Sequence, residues 1–168
     1  MGFKELAAAR YSVRKFKDRA VEKEKVDLIL EAARNAPTAA NKQPQRILVI
    51  DTDEELKKVD ACTRFRFETS LVFLVCYDQN ECWVRSFDGE KSGEVDASIV
   101  TTQMMLQAAD IGLGTTWVMF FDPAKTREEF KLPPHIIPVA FLPTGYPADD
   151  AEPSDRHAVR HPLEKLII

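Results

Sequence analysis

The sequence predicts an α+β domain of mixed α/β character, with one sheet covered by helices. Short apolar, β-branched runs at 46–51, 71–77 and 137–146 intermingle with helical periodicity at 22–34 and 94–112, without the strict alternation of a doubly wound fold. The run LVFLVCY at 71–77 has no polar face, as expected of a strand covered on both sides. A chain of 168 residues with 45% hydrophobic and 30% charged residues has the size of one domain and can bury about 70% of the surface its unfolded form exposes. Residues 1–168 are therefore expected to form a single domain, with 147–168 as an extended C-terminal tail.

The elements follow in order. FKELAAAR reads as a short helix ending near Arg10, made of good helix formers. A basic loop follows it. Val26, Ile29, Leu30 and Ala33 lie at i, i+3, i+4 and i+7, which marks 22–34 as an amphipathic helix. In APTAANKQP, Pro37 and Pro44 forbid regular structure, while Thr38, Asn41 and Gln43 offer side-chain hydrogen bonds. RILVID is a strand, and Thr52 and Asp53 cap a helix over 54–61. After the 71–77 strand, 78–93 reads as a structured loop.

The stretch 94–112 begins with acids and stops at Gly112, with Val95, Ile99, Met105 or Leu106, and Ala109 on one face. Its other face is also small or apolar, so the helix belongs in a core or between subunits. TTWVMFF reads as a strand, DPAKTREEF as a short helix with Pro123 in its first turn, and IPVAFLPTGY as a last central strand.

Several chemistries are absent. A net charge of −4 argues against nucleic acid, since the cations gather only at 10–19 and counterion release needs many of them on one face. Cys62, Cys76 and Cys82 lack C-x-x-C spacing and read as reduced thiols, which suits a cytoplasmic protein. No metal site is expected. The N-terminus lacks the apolar run of a signal peptide, and no stretch is long and apolar enough to span a membrane. The phosphate-binding G-x-x-x-x-G-K loop is missing, and Trp117 breaks the dinucleotide fingerprint in GLGTTW. His135, His157 and His161 have no zinc spacing, no G-x-S-x-G elbow presents a serine, and His135 reads as a surface residue.

What remains is an anion site. In RYSVRKFKDR, Arg10, Arg14, Lys15, Lys17 and Arg19 face one acid, Asp18. Arg10, Ser12 and Arg14 alternate, so an extended path projects all three to one side as a cradle for phosphate. Tyr11, Val13 and Lys15 would then face the other way. The alternative is a solvated cluster of surface charges.

Four segments in order (RYSVR, APTAANKQP, GLGTTW and RHPLE) resemble the nitroreductase family of FMN-dependent oxidoreductases over nearly the whole chain. The resemblance implies a central, mostly antiparallel sheet flanked by helices, and a homodimer with FMN at the interface. It implies that Arg10, Ser12 and Arg14, with Tyr11 between them and Arg156 and Arg160 in the tail, hold the FMN phosphate. Pro37, Thr38, Asn41 and Gln43 would reach the flavin of the second subunit, and Trp117, Met119 and Phe120 would pass beside its ring. NAD(P)H would be the reductant, and nitroaromatics, quinones or related electron-poor small molecules the acceptors. Arg14 is expected to stabilise charge at flavin N1 and O2, with Lys15 and Lys42 as alternatives.

The chain departs from the family pattern at Tyr11, Gln45, Met119 and Phe120, and FETS at 67–70 receives no flavin contact. It is short for the family, which leaves 63–68 and 79–93 to act as a lid. Reductive dehalogenation or enone reduction on the same fold, flavin storage, and a regulatory domain holding another phosphorylated ligand are the rival readings.

Overall fold

Strand β2, Leu71–Asp78, organises the molecule because both of its faces are apolar. In this computed structural model, which describes residues 2–168 and so leaves only Met1 of the expected domain outside it, β2 pairs antiparallel with β1 (Gln45–Ile50) and with β4 (Ile136–Gly145). The short β3 (Gly114–Thr115) lies antiparallel on the far side of β4, giving the sheet order β1-β2-β4-β3. Successive strand residues point to opposite faces. Leu71, Phe73 and Val75 pack with Ile29 and Ala33 of α2 (Lys23–Arg34) and with Ala97, Val100, Met104 and Ala108 of α4 (Gly93–Asp110). Val72, Leu74 and Cys76 pack instead with Leu56, Val59 and Cys62 of α3 (Asp53–Cys62) and with Phe141. The sheet thus separates two apolar layers, which is why β2 carries no polar alternation.

Helix ends follow the chemistry of their caps. Thr52 Oγ1 accepts the Glu55 N–H and donates to the Glu55 carboxylate at the start of α3. Asp122 accepts the N–H groups of Ala124 and Lys125 ahead of α5 (Pro123–Glu129), with Pro123 in the first turn where its missing N–H costs nothing. Gly112, at φ 79°, closes α4, and the Leu113 N–H reaches the Ala108 carbonyl at 2.8 Å. The first helix, α1, spans Phe3–Ala9.

One expectation is corrected. TTWVMFF does not form a continuous strand, because Pro143 stands opposite Thr116. Thr116 N–H donates to the Pro143 carbonyl at 3.1 Å, but proline has no N–H to return the bond. The pairing resumes for one residue, Val118 with Phe141. The backbone then turns, leaving Met119 60% and Phe120 69% exposed. The structure also decides between the two apolar faces of α4, which the sequence left open. Ala97, Val100, Thr101, Met104 and Ala108 face the core, whereas Val95 is 61% exposed and Ile99 is also exposed. A helix apolar on all sides has no phase to read, and the small Ala97 and Ala108 let it approach the sheet.

Cys62, Cys76 and Cys82 are free and buried. Burial pushes the Cys76 thiol from its ordinary 9.0 up to about 12. The unfolded chain ionises this thiol first, so its contribution to stability is whole below pH 9 and is lost as pH rises from 9 towards 12. Between pH 9 and 10 the loss relative to a Cys76→Val variant is expected to be about 1 kcal/mol, and denaturant titrations at the two pH values measure it. Among the described residues, no helix is long and apolar enough to cross a membrane.

Candidate functional site

The basic run is joined to the sheet by its one buried apolar residue. Val13 is 2% exposed. Its N–H donates to the Thr115 carbonyl at 3.0 Å, its carbonyl accepts the Thr116 hydroxyl, and Ser12 forms a parallel bridge with Thr115. The seam is tight because residue 114 is glycine: a Cβ there would lie 2.7 Å from Val13 Cβ. Residues 12–14 thus extend the sheet edge and carry their flanking polar groups to its rim.

The five cations of the run divide into two kinds. Lys15 pairs with Asp150 at 2.6 Å, Lys17 with Asp149 at 2.6 Å, and Arg19 with Glu22 at 2.6 Å. The hydrogen bond to Asp150 raises the Lys15 pKa, and the reciprocal bond lowers that of Asp150. The Glu22 carboxyl is held down at about 2, first by the Tyr146 hydroxyl and also by Arg19. Arg10 and Arg14 have no acidic partner within ion-pair distance among the described residues, and Arg14 donates only to the Ser12 carbonyl, at 3.1 Å. These are two of the three proposed cradle donors.

Arg14 stands where two clefts meet. One, of about 520 Å³, is also lined by Lys15, Phe16, Asp60, Arg64, Arg66, Phe67, Glu68, Ala148 and Asp150. The other, of about 240 Å³, is lined by Phe65, Phe67 and the backbone run from Thr116 to Phe120. Arg14 therefore faces Trp117, Met119 and Phe120 across one cleft. The Trp117 side chain packs instead against the layer of α2 and α4, where its indole Nε1 is buried without a hydrogen-bond partner.

Other expected site residues lie elsewhere in the single chain. Arg10 caps α1 and lines a separate cavity of about 200 Å³ with Leu6, Ala9 and Thr115, so Arg10 and Arg14 do not converge on one cleft. The Thr115 hydroxyl in that cavity is buried and unpartnered. Tyr11 donates to the Ala151 carbonyl at 3.0 Å and meets His157 edge-on. Arg156 is exposed, and Arg160 donates to the carbonyls of His157 and Val159 within the tail.

Pro37, Thr38, Asn41 and Gln43 line neither Arg14 cleft. Their loop is held in an unusual path, with Ala40, Asn41 and Gln43 all in the left-handed region at φ 49°, 53° and 51°. Thr38 Oγ1 accepts the Gln43 N–H at 3.0 Å, and the buried Asp96 accepts the Ala39 N–H at 2.8 Å. That anchor ties the loop to the start of α4.

Sequence reasoning passed over Arg64, Phe65, Arg66 and Phe67 as site residues while allowing 63–68 as a lid. The signal was the alternation RFRF, which places cations and aromatic rings along one short stretch. Arg66 clamps Asp60 with two bonds of 2.7 and 2.9 Å and the Thr69 carbonyl with a third of 2.7 Å. It thereby holds a tight turn whose central residues, Phe67 and Glu68, both have φ 57°. Such backbone costs about 1–2 kcal/mol per non-glycine residue, and the Arg66 bonds offset it.

Comparison with known proteins bears on the family and the fold. The profile of the nitroreductase family matches residues 7–79 and 69–146. A solved nitroreductase family protein from Clostridium difficile is 43% identical and covers 100% of this chain and 98% of its own, with a TM-score of 0.94. An FMN-dependent nitroreductase from the same species is 27% identical, with a TM-score of 0.77 and coverage of 95% and 98%. The NAD(P)H FMN reductase of Bacillus subtilis is 29% identical over 171 residues, 89% of this chain and 69% of its own length.

Proposed function

Because the chain belongs to the nitroreductase family, we propose that it binds FMN as a homodimer and reduces nitroaromatics, quinones or related electron-poor small molecules with NAD(P)H. The observation that carries this reading is the unpaired Arg14 guanidinium facing Trp117, Met119 and Phe120 across one cleft. The residues fit the cofactor. A flat heteroaromatic ring needs an apolar wall with a few polar contacts, and the exposed Met119 and Phe120, with the Arg14 guanidinium in the same cleft, supply both. The 5′-phosphate needs charge-assisted donors, and Arg14 is the one that lines these clefts; Arg10 lines a neighbouring cavity, so its guanidinium would have to swing round the shared edge segment to join Ser12 and Arg14 on one phosphate.

FMN held there would supply hydride transfer between NAD(P)H and an electron-poor acceptor. The chain positions and polarises. Arg14 would provide fixed positive charge beside the ring, and Met119 and Phe120, exposed in the single chain, would cover part of the ring face once it is bound. Thr116 and Val13 hold Arg14 in place by joining its segment to the sheet edge.

The second subunit has a physical rationale in exposed apolar surface. Val95 and Ile99 on α4, and Val159, Leu163, Leu166 and Ile167 in the tail, are exposed in one chain. The loop of Pro37, Thr38, Asn41 and Gln43, which lines neither Arg14 cleft in its own chain, would meet the flavin of the partner.

The purified protein is expected to be yellow, dimeric in size-exclusion chromatography, bleached by NADH or NADPH without oxygen, and recoloured by a nitroaromatic or a quinone. A colourless monomer that ignores added FMN would refute the proposal, and colour without bleaching would indicate flavin storage. Arg14→Ala is expected to lower the midpoint potential of the bound flavin by about 30–60 mV, since about 30 mV corresponds to 1.4 kcal/mol for a two-electron couple. Potentiometric titration measures this, and Arg14→Lys should retain most of the wild-type value.

A further inference from the structure

The 520 Å³ cleft beside Arg14 contains a second guanidinium without an acidic partner. Four cations line it, but Lys15 is paired with Asp150 and Arg66 with Asp60. Arg14 and Arg64 have no acid within ion-pair distance among the described residues, and Glu68 is the one lining acid without a cation at that distance. The cleft therefore offers two unpaired guanidinium groups against one unpaired carboxylate.

Arg64 is also mounted beside the aromatic wall of the neighbouring cleft. Its guanidinium carbon lies 5.0 Å from the centre of the Phe65 ring and 5.6 Å from that of Phe120, and those two rings meet edge-on at 5.5 Å. Stacking of this kind occupies the face of a guanidinium and leaves its N–H edge for a planar anion. The base beneath it is rigid, because the Thr63 hydroxyl donates to the Phe120 carbonyl at 2.6 Å and Arg66 locks the following turn. Phe65 and Phe120 line the 240 Å³ cleft, so Arg64 marks the passage from one cleft to the other.

We propose that Arg64 determines substrate specificity, selecting molecules that carry a carboxylate, sulfonate or phosphate beside the ring lying against Phe65 and Phe120. The inference rests on the function proposed above for the same site. An anion of this kind has two sources: an acidic substituent on the acceptor, or the phosphates of NAD(P)H. One experiment separates them.

The FMN-loaded protein and its Arg64→Gln, Arg64→Glu and Arg64→Lys variants are compared in three measurements. The first is the kcat/KM ratio for 4-nitrobenzoate over nitrobenzene. The second is the ratio of flavin reduction rates with NADPH over the phosphate-free donor 1-benzyl-1,4-dihydronicotinamide. The third, which needs no turnover, is the affinity ratio of 4-nitrobenzoate over nitrobenzene from quenching of tryptophan emission, Trp117 belonging to the segment that lines the adjoining cleft.

A charge-assisted contact predicts an acceptor ratio of about tenfold in the wild type, falling to near one in Arg64→Gln, below one in Arg64→Glu, and largely kept in Arg64→Lys. If only the donor ratio follows this series, the anion recognised is the phosphate of the donor. If no ratio moves even in Arg64→Glu, the inference is overturned. Failure to reduce either acceptor would refute the proposed function instead, and the quenching ratio would still decide the role of Arg64.

Discussion

Gly114→Val is expected to abolish retention of FMN and to lower stability by about 1–3 kcal/mol, the usual effect of forcing extra atoms into a close-packed seam. Val13 is buried against residue 114, and even a single Cβ there would come within 2.7 Å of Val13 Cβ. Neither side has slack, because Val13 is bonded through both its N–H and its carbonyl to Thr115 and Thr116. Relief comes from lifting residues 12–14 off the sheet edge, which moves Arg14 away from its clefts and Ser12 with it. Both core layers are untouched, so far-UV dichroism should stay native while the dissociation constant for FMN, measured by flavin fluorescence, rises at least about tenfold. An unchanged constant would mean that flavin binding does not depend on this seam.

Asp96→Ala has a comparable effect by a different route. Asp96 is 1% exposed, and its two oxygens are both engaged, one by the Ala39 N–H at 2.8 Å and one by the Ser92 hydroxyl at 2.7 Å. Removing the carboxylate leaves the Ala39 N–H without its partner, and hydrogen bonds to charged groups contribute about 1.5–3 kcal/mol each. The loop it holds contains three left-handed non-glycine residues, which would relax once released. The thermal midpoint should fall by about 5–10 °C, given roughly 2–4 °C per kcal/mol for a domain of this size. FMN affinity should fall with it if the loop contacts the flavin of the partner. Asp96→Asn, which keeps one acceptor oxygen for Ala39, should lie between the two; a midpoint within about 1 °C of wild type for Asp96→Ala would show that the loop is held by other means.

Local pattern made most of the fold legible. The period of 3.6 in Val26, Ile29, Leu30 and Ala33 and the unbroken apolar run of β2 each reflect forces acting within a few residues, as do the Thr52 and Asp122 caps. The TTWVMFF reading failed, and the α4 reading stopped short, where the deciding partner was distant. Nothing in TTWVMFF announces that Thr116 will face Pro143, which cannot return its hydrogen bond. Nothing in α4 distinguishes Val95 and Ile99 from Val100 and Met104, since all are apolar and only packing against the sheet separates them.

The site divides the same way. The residue types of an anion cradle, two arginines and a serine at alternate positions, are written in RYSVR, because donor chemistry and strand alternation are properties of the segment itself. Which cations stay unpaired is a property of the folded chain. Lys15 and Lys17 are matched by Asp150 and Asp149, about 130 residues further on, while Arg14 and Arg64 are left facing clefts. Alternation and helical period are enforced by covalent geometry within a few residues, whereas charge pairing and burial depend on which distant segments the two packed layers bring within a few ångströms.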